Sequence, residues 1–215
     1  MNSITFLIIA FLIVSYAVNQ AVVKSIKAFL QPDLLLEQVE QIDDLVFLKN
    51  YQEFNDWAIK HGYQTHSLFL FRIVTGGFLN CAAWWNEKQK TWALIYCFSN
   101  KINIDFVTLY DKHISVTTAS SRDALLLPRL PKSYLQVFTK LSFDERYTKH
   151  QTACQLIKQQ EHLNSPIQQQ ELLNILKLSL KSQAEYIMSL PLWQWRGVYW
   201  YFVRRYLNVN KPIKF

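Results

Sequence analysis

Glycine is scarce in this chain: its 215 residues hold four, Gly62, Gly76, Gly77 and Gly197. No G-x-G-x-x-G or G-x-x-x-x-G-K-[ST] can be drawn, which excludes the phosphate loops of Rossmann and P-loop enzymes. A G-x-S-x-G nucleophile elbow is missing as well. Cysteine is limited to Cys81, Cys97 and Cys154, with no C-x-x-C spacing. That pattern fits reduced, packed thiols in a cytoplasmic domain better than a disulfide framework. The five histidines make no H-x-x-x-H or H-E-x-x-H pair, and His61 and His66 straddle Gly62 instead of sharing a helical face. No metal site and no cofactor are expected. Acid disappears after Glu185, while Arg196, Arg204, Arg205, Lys211 and Lys214 follow it.

What is present begins at the N-terminus. Ile4 to Val23 is an unbroken uncharged run, interrupted only by Thr5, Ser15, Asn19 and Gln20, with Lys24 and Lys27 directly after it. At about 1.5 Å per helical residue the run covers roughly the 30 Å of a bilayer's hydrocarbon core. A secretory signal would carry its basic residues before the run and small residues at a cleavage site, and neither is found. The expectation is a single-pass anchor in a bacterial inner membrane. Because the lysines follow the span, the bulk of the chain is placed in the cytoplasm. About 185 residues remain for one folded unit.

Four regions follow: an anchor with its flank (1–27), an α+β domain (28–163), a C-terminal helix (164–190) and a basic aromatic tail (191–215). Residues 28–62 read as helix, broken near Asn50, where Asn50-Tyr51-Gln52-Glu53 has capping-box form and Gly62 ends the pattern. From residue 65 the period becomes that of strands. Runs at 66–75, 78–86, 91–99, 102–110 and 113–119 are separated by short polar breaks, so neighbours are antiparallel. A two-residue turn at Asp111-Lys112 would set Val107 opposite Val116 and Asp105 opposite Thr118. Residues 133–141 supply a sixth strand to this meander. Large apolar groups on both faces require helices over one face and a partner, a subunit or further helices over part of the other. Ser142-Phe143-Asp144-Glu145 and Ser165-Pro166-Ile167-Gln168 open two later helices.

The stretch from Ser189 to Leu207 carries Trp193, Trp195, Tyr199, Trp200, Tyr201, Phe202 and Tyr206 with Arg196, Arg204 and Arg205. It is too short between arginines to span a bilayer. Two readings stay open: an amphipathic helix lying in the membrane interface, or a core helix with its aromatics against the sheet. The basic excess (fourteen Lys/Arg against six Asp/Glu over residues 121–215) suits anionic lipid headgroups. No pattern for nucleic-acid binding accompanies it.

A membrane-proximal helix ending at Gly62, the meander, a proline-rich loop and a helix bearing His150 together resemble a group of uncharacterised bacterial membrane-anchored α+β proteins. Those proteins place an Asp-Gly turn before an L-T-T-type strand. Here the stretch is Asp111-Lys112-His113-Ile114-Ser115-Val116-Thr117-Thr118, without the glycine. The resemblance covers residues 54–155 and implies no activity.

No catalytic constellation emerges. Cys81 and Cys97 sit mid-strand among apolar neighbours, and Asp144-Glu145 belongs to a helix first turn. Asp105 near Thr118, with His113 and Tyr110, is the one polar cluster that could be a site. The reading is a non-enzymatic scaffold or interaction protein at the membrane, with anionic lipids and a protein partner or a second copy as its contacts. The alternative is a binding module for a lipid or other apolar ligand, with Trp85, Trp92 and Tyr96 as the wall of its pocket.

Overall fold

The computed structural model describes residues 3–74, 76–98, 101–110, 114–166 and 171–213. Helix α1 runs over Ser3–Ala28. It has the leucine, isoleucine, phenylalanine and alanine content of a stable helix and no interior glycine or proline. Its most apolar 18 residues have a mean hydropathy of 2.2, and it is long and apolar enough to cross a membrane.

The chain then departs from the single broken helix expected over residues 28–62. A 3-10 turn at Pro32–Leu34 leads into strand β1, Leu36–Val39, and helix α2 covers Leu45–Lys60. The cap of α2 is Asp44, whose carboxylate accepts the Phe47 N–H at 2.9 Å. Asn50 therefore lies inside α2 and donates back to the Val46 carbonyl. Leu36 and Val39 carry a spacing that also suits a helix. A sheet edge decides the matter, since β1 pairs antiparallel with the next strand, β2 (Gln64–Arg72), Leu36 opposite Phe71 and Val39 opposite Leu68. The stop at Gly62 is as read: His61 caps α2 and Gly62 turns the chain at φ +80°.

Strands β2 (Gln64–Arg72), β3 (Phe78–Asn86), β4 (Thr91–Phe98), β5 (Lys101–Leu109), β6 (Ser115–Ala119) and β7 (Ser133–Val137) complete a seven-stranded sheet in sequential order. All pairs are antiparallel except the last. The proline-bracketed loop carries the chain back over the sheet edge, so β7 lies parallel to β6. The β5–β6 register also differs from expectation. Val107 faces Thr117 and Asp105 faces Ala119, with Tyr110 donating to the Ile114 carbonyl, one residue further along than a two-residue turn would place its partner. Asp111, Lys112 and His113 lie outside the described residues, as do Asn100 and the Ile167-Gln168 half of the last capping box.

Helices cover both faces of the sheet. On the first, Trp84, Ala93, Ile95, Ile104 and Phe106 pack beneath Phe47, Phe54 and Ala58 of α2. Helix α3 (Phe143–Gln160) extends this layer through Ala153 and Ile157 over Val116. It opens on the expected capping box, in which Ser142 and Glu145 exchange hydrogen bonds. On the second face, Phe69, Cys81, Ala83, Trp85, Trp92 and Leu94 lie under Leu172 and Leu173 of helix α4, Leu172–Ser189. Each such apolar side chain contributes about 1.5–3 kcal/mol on burial, enough to hold α4 there without a side-chain cap at its start.

The C-terminal segment is not one amphipathic helix. It forms a 3-10 turn at Trp193–Trp195, a short helix α5 at Gly197–Phe202 and a second 3-10 turn at Arg204–Tyr206. Leu192 in the left-handed region, at φ +54°, and Val203, at φ −119°, break the continuity. The segment folds against the domain-proximal end of α1, where Val22 and Ile26 meet Ala184, Ile187, Trp193 and Trp200. Beyond it, Asn210 donates to the Val137 carbonyl at 2.7 Å and accepts from the Thr139 N–H, so the tail closes the β7 edge.

Candidate functional site

Cavities lie on both faces of the sheet among the described residues. The first, of about 270 Å³, lies where α3 meets β4 and β5, and is lined by polar groups including Thr91, Thr108, Tyr110, His150, Gln151 and Cys154. His150 is buried at its base, 1 % exposed, with Nδ1 3.0 Å from Thr118 Oγ1 and Nε2 3.0 Å from Thr108 Oγ1. Cys154 Sγ stands 3.5 Å from the same Nε2. A cysteine beside a histidine invites a nucleophile–base reading.

The placement of the protons rules against it. Thr91 gives its one hydroxyl proton to the Gln89 carbonyl, so across the 2.7 Å contact with Thr108 it can only accept. Thr108 then has no proton left for His150 and must accept from Nε2–H. At the far side Thr118 accepts from Gln136 Nε2 at 2.9 Å and gives its own proton to Nδ1. The chain of donors runs one way, from Gln136 through Thr118, His150, Thr108 and Thr91 to Gln89. Nε2 already carries a proton and cannot take one from Cys154. Burial agrees with the geometry: it lowers the His150 pKa to about 3 and raises that of the Cys154 thiol. Both groups are neutral, and the cluster ties β5, β6 and β7 to α3.

The second cavity, of about 240 Å³, lies between α4 and the sheet. Leu36, Phe69, Phe71, Leu79, Leu94, Leu176 and Leu180 form its walls, and Tyr96 and Asp105 are its polar lining. The strand grammar places these groups: Leu94, Tyr96, Asp105 and Phe69 all point to the α4 face by period two. Asp105 Oδ1 is inaccessible to water and has no hydrogen-bond partner among the described residues. Burial pushes its carboxyl up to about 6, against the opposing pull of Arg129 and of hydrogen bonds from the Ser120 backbone and the Tyr96 side chain. Desolvation also raises the Tyr96 phenol and lowers the Arg129 guanidinium. The result is a small apolar chamber ending in a carboxyl of which one oxygen, Oδ1, has no hydrogen-bond partner among the described residues.

The residues singled out from sequence divide between surface, core and chamber. Tyr96 lines the chamber, but Trp85 and Trp92 are buried beneath the start of α4 and present no open face. Trp193 and Trp200 are also core, packed on α1, whereas Trp195 is 70 % exposed and Tyr199 49 %. Arg196 and Arg204 are half-buried. Arg205 is held by Asp123 at 2.5 Å and lies over the Tyr201 and Tyr206 rings. Asp105 and Thr118 do not form a cluster, since the one-residue register change sends them to opposite faces. Tyr110 instead donates to the Cys154 carbonyl, and His113 lies outside the described residues. Among the described residues no three His, Cys, Asp or Glu side chains converge as metal ligands.

Sequence reasoning put Tyr96 on a pocket wall but missed Asp105 as the chamber's polar end and the proton chain through His150. The alternation of β4 and β5 identifies the side chains on that face, but only the placement of α4 shows the gap between them. Comparison with protein-family models, curated proteins and solved structures gives no match.

Proposed function

We propose that this chain is a non-enzymatic, membrane-anchored module that takes a single-chain amphiphile into the chamber between α4 and the sheet. The observation that carries the reading is the apolar cavity with its unpartnered Asp105 carboxylate oxygen. At 240 Å³ it lies just below the usual range of small-molecule sites, which starts at about 300 Å³, and suits a narrow chain better than a fused ring system. A donor on the ligand's head group would satisfy Asp105, with Tyr96 beside it.

Several features support drawing such a ligand from a bilayer. Leu176 and Leu180 line the chamber, and one turn further along α4 Ala184 and Ile187 pack on α1. A helix rises about 6 Å over four residues, so the chamber begins close beneath the end of the apolar span. Lys24 and Lys27 are exposed just after that span, which favours the cytoplasmic side of a bacterial inner membrane. Anionic lipids are the lipid partners this charge fits. A scaffold role is the second reading. Its protein partner or second copy would have to dock elsewhere than on the sheet, whose second face α4 occupies.

The full chain should retain an apolar ligand in native mass spectrometry from mild detergent, and should bind a naturally fluorescent polyene fatty alcohol. Leu176→Trp, which fills the chamber, should abolish both while leaving thermal unfolding within a few degrees of wild type. A wild-type protein with no bound ligand and no uptake of the probe would end this reading.

A further inference from the structure

Among the described residues, the exposed part of α1 is shorter than a membrane. Its side chains from Ile4 to Ala17 stand open except for half-buried Ala10 and Ser15, and Asn19 is the first to be buried. The sixteen residues Ser3–Val18 rise about 24 Å, short of the roughly 30 Å of a hydrocarbon core. Reaching 30 Å takes the apolar run to Val23. Asn19 and Val22 fall in that last turn, and there the C-terminal segment covers them. The height is fixed by close packing. Val198 N–H donates to Asn19 Oδ1 at 3.1 Å, and a Cβ on Gly197 would stand 2.6 Å from that oxygen.

We propose that Leu190–Leu207 is a seating collar, which holds the folded unit in the interfacial layer of the bilayer with Trp195, Tyr199, Phe202 and Tyr206 at headgroup level. This rests on α1 spanning the membrane, part of the reading above, and is independent of the chamber.

The collar is two-sided. Trp193 and Trp200 point inward to Val22 and Ile26. Trp195 (70 %), Tyr206 (51 %), Phe202 (50 %), Tyr199 (49 %) and Tyr201 (39 %) are its exposed aromatics, with Leu192, Val203 and Leu207 exposed beside them. Large aromatics grouped on a surface are costly in water, and tryptophan and tyrosine favour the membrane–water boundary. Their cationic company fits the same layer. Arg122 and Arg205 lie over the Tyr206 ring, at 5.0 and 5.4 Å from its centroid, while Lys24 and Lys27 are exposed on α1 close by in sequence to the packed turn. The bilayer is therefore the occupant that continuity with α1 selects.

The test uses the full chain in lipid nanodiscs whose phospholipids carry bromine either high on the acyl chain or near its end. Bromine quenches tryptophan at short range, and Trp195 is the most exposed of the seven. High bromines should quench wild type more than deep ones, and Trp195→Phe should lose that excess. Tyr199→Asp with Phe202→Asp alters exposed positions only. It should lose the same quenching while keeping its circular dichroism and its resistance to alkaline carbonate. Equal quenching in wild type and Trp195→Phe, or stronger quenching by deep bromine, overturns the collar. Release of wild type by carbonate would instead overturn the anchoring on which it depends.

Discussion

Replacing His150 by leucine is expected to destabilise the folded unit by about 4 kcal/mol, a large effect for a single substitution. The imidazole is fully enclosed and joins Thr108 to Thr118, each at 3.0 Å. Removing it leaves two buried hydroxyls short of a partner, at about 1–3 kcal/mol each. Leucine fills the space but satisfies neither. Urea unfolding in mild detergent measures the cost, and a loss below about 1 kcal/mol would show that the chain of donors contributes little.

The same substitution has a pH signature. Folding depresses the His150 pKa to about 3, so between the unfolded value near 6.5 and 3 the unfolded chain binds the proton first. The stability that neutral His150 confers is complete above 6.5 and is lost as the pH falls toward 3. The gap between wild type and His150→Leu should therefore narrow on acidification, by at most about 1.4 kcal/mol per pH unit in that window. A gap independent of pH would mean that the imidazole takes up its proton at the same pH in the folded and unfolded states.

The second large effect is expected at Gly197. Its added Cβ in Gly197→Ala would meet not only Asn19 Oδ1 at 2.6 Å but also the Asn19 Cα at 3.0 Å and Val22 Cβ at 3.2 Å. The amide could swing aside, but the backbone of α1 cannot. Overpacking of this kind costs about 1–3 kcal/mol, and loss of the Val198–Asn19 hydrogen bond adds about 1 kcal/mol. Limited proteolysis should then cut between residues 190 and 213 much faster than in wild type. Asn19→Ala in the same chain should recover only part of the loss, because the clash with the α1 backbone persists, and the two changes should not add. Unchanged proteolysis in Gly197→Ala would show that α1 and α5 part without consequence.

How far these features can be read from the sequence depends on how local their causes are. The β2–β6 strands and the Gly62 stop follow from alternation and short turns, which neighbouring residues determine. Strand β1 does not, since four residues with apolar positions three apart suit either geometry until β2 offers an edge. The β5–β6 register turns on one residue in the hairpin, and that residue decides which face Asp105 and Thr118 take. Composition marks the aromatic C-terminal segment as unusual, but Trp193 and Trp195, two residues apart, have opposite fates because of where α1 passes. The chamber is less legible still. Tyr96 is on the expected wall, yet the space beside it exists only because Leu176 and Leu180 stand off from Leu94 and Phe69.

The bond between Asn19 and Val198 joins positions 179 residues apart. Synthesis at about 5–20 residues per second separates the two by roughly ten to forty seconds. During that interval α1 exists with its one deeply placed amide open, and nothing made so far can close it. The buried turn of α1 around Asn19 is thus completed by a segment made only after every strand of the sheet. A nascent chain stalled before Gly197 would carry all seven strands of the sheet and still lack the hydrogen bond that closes the Asn19 amide on α1.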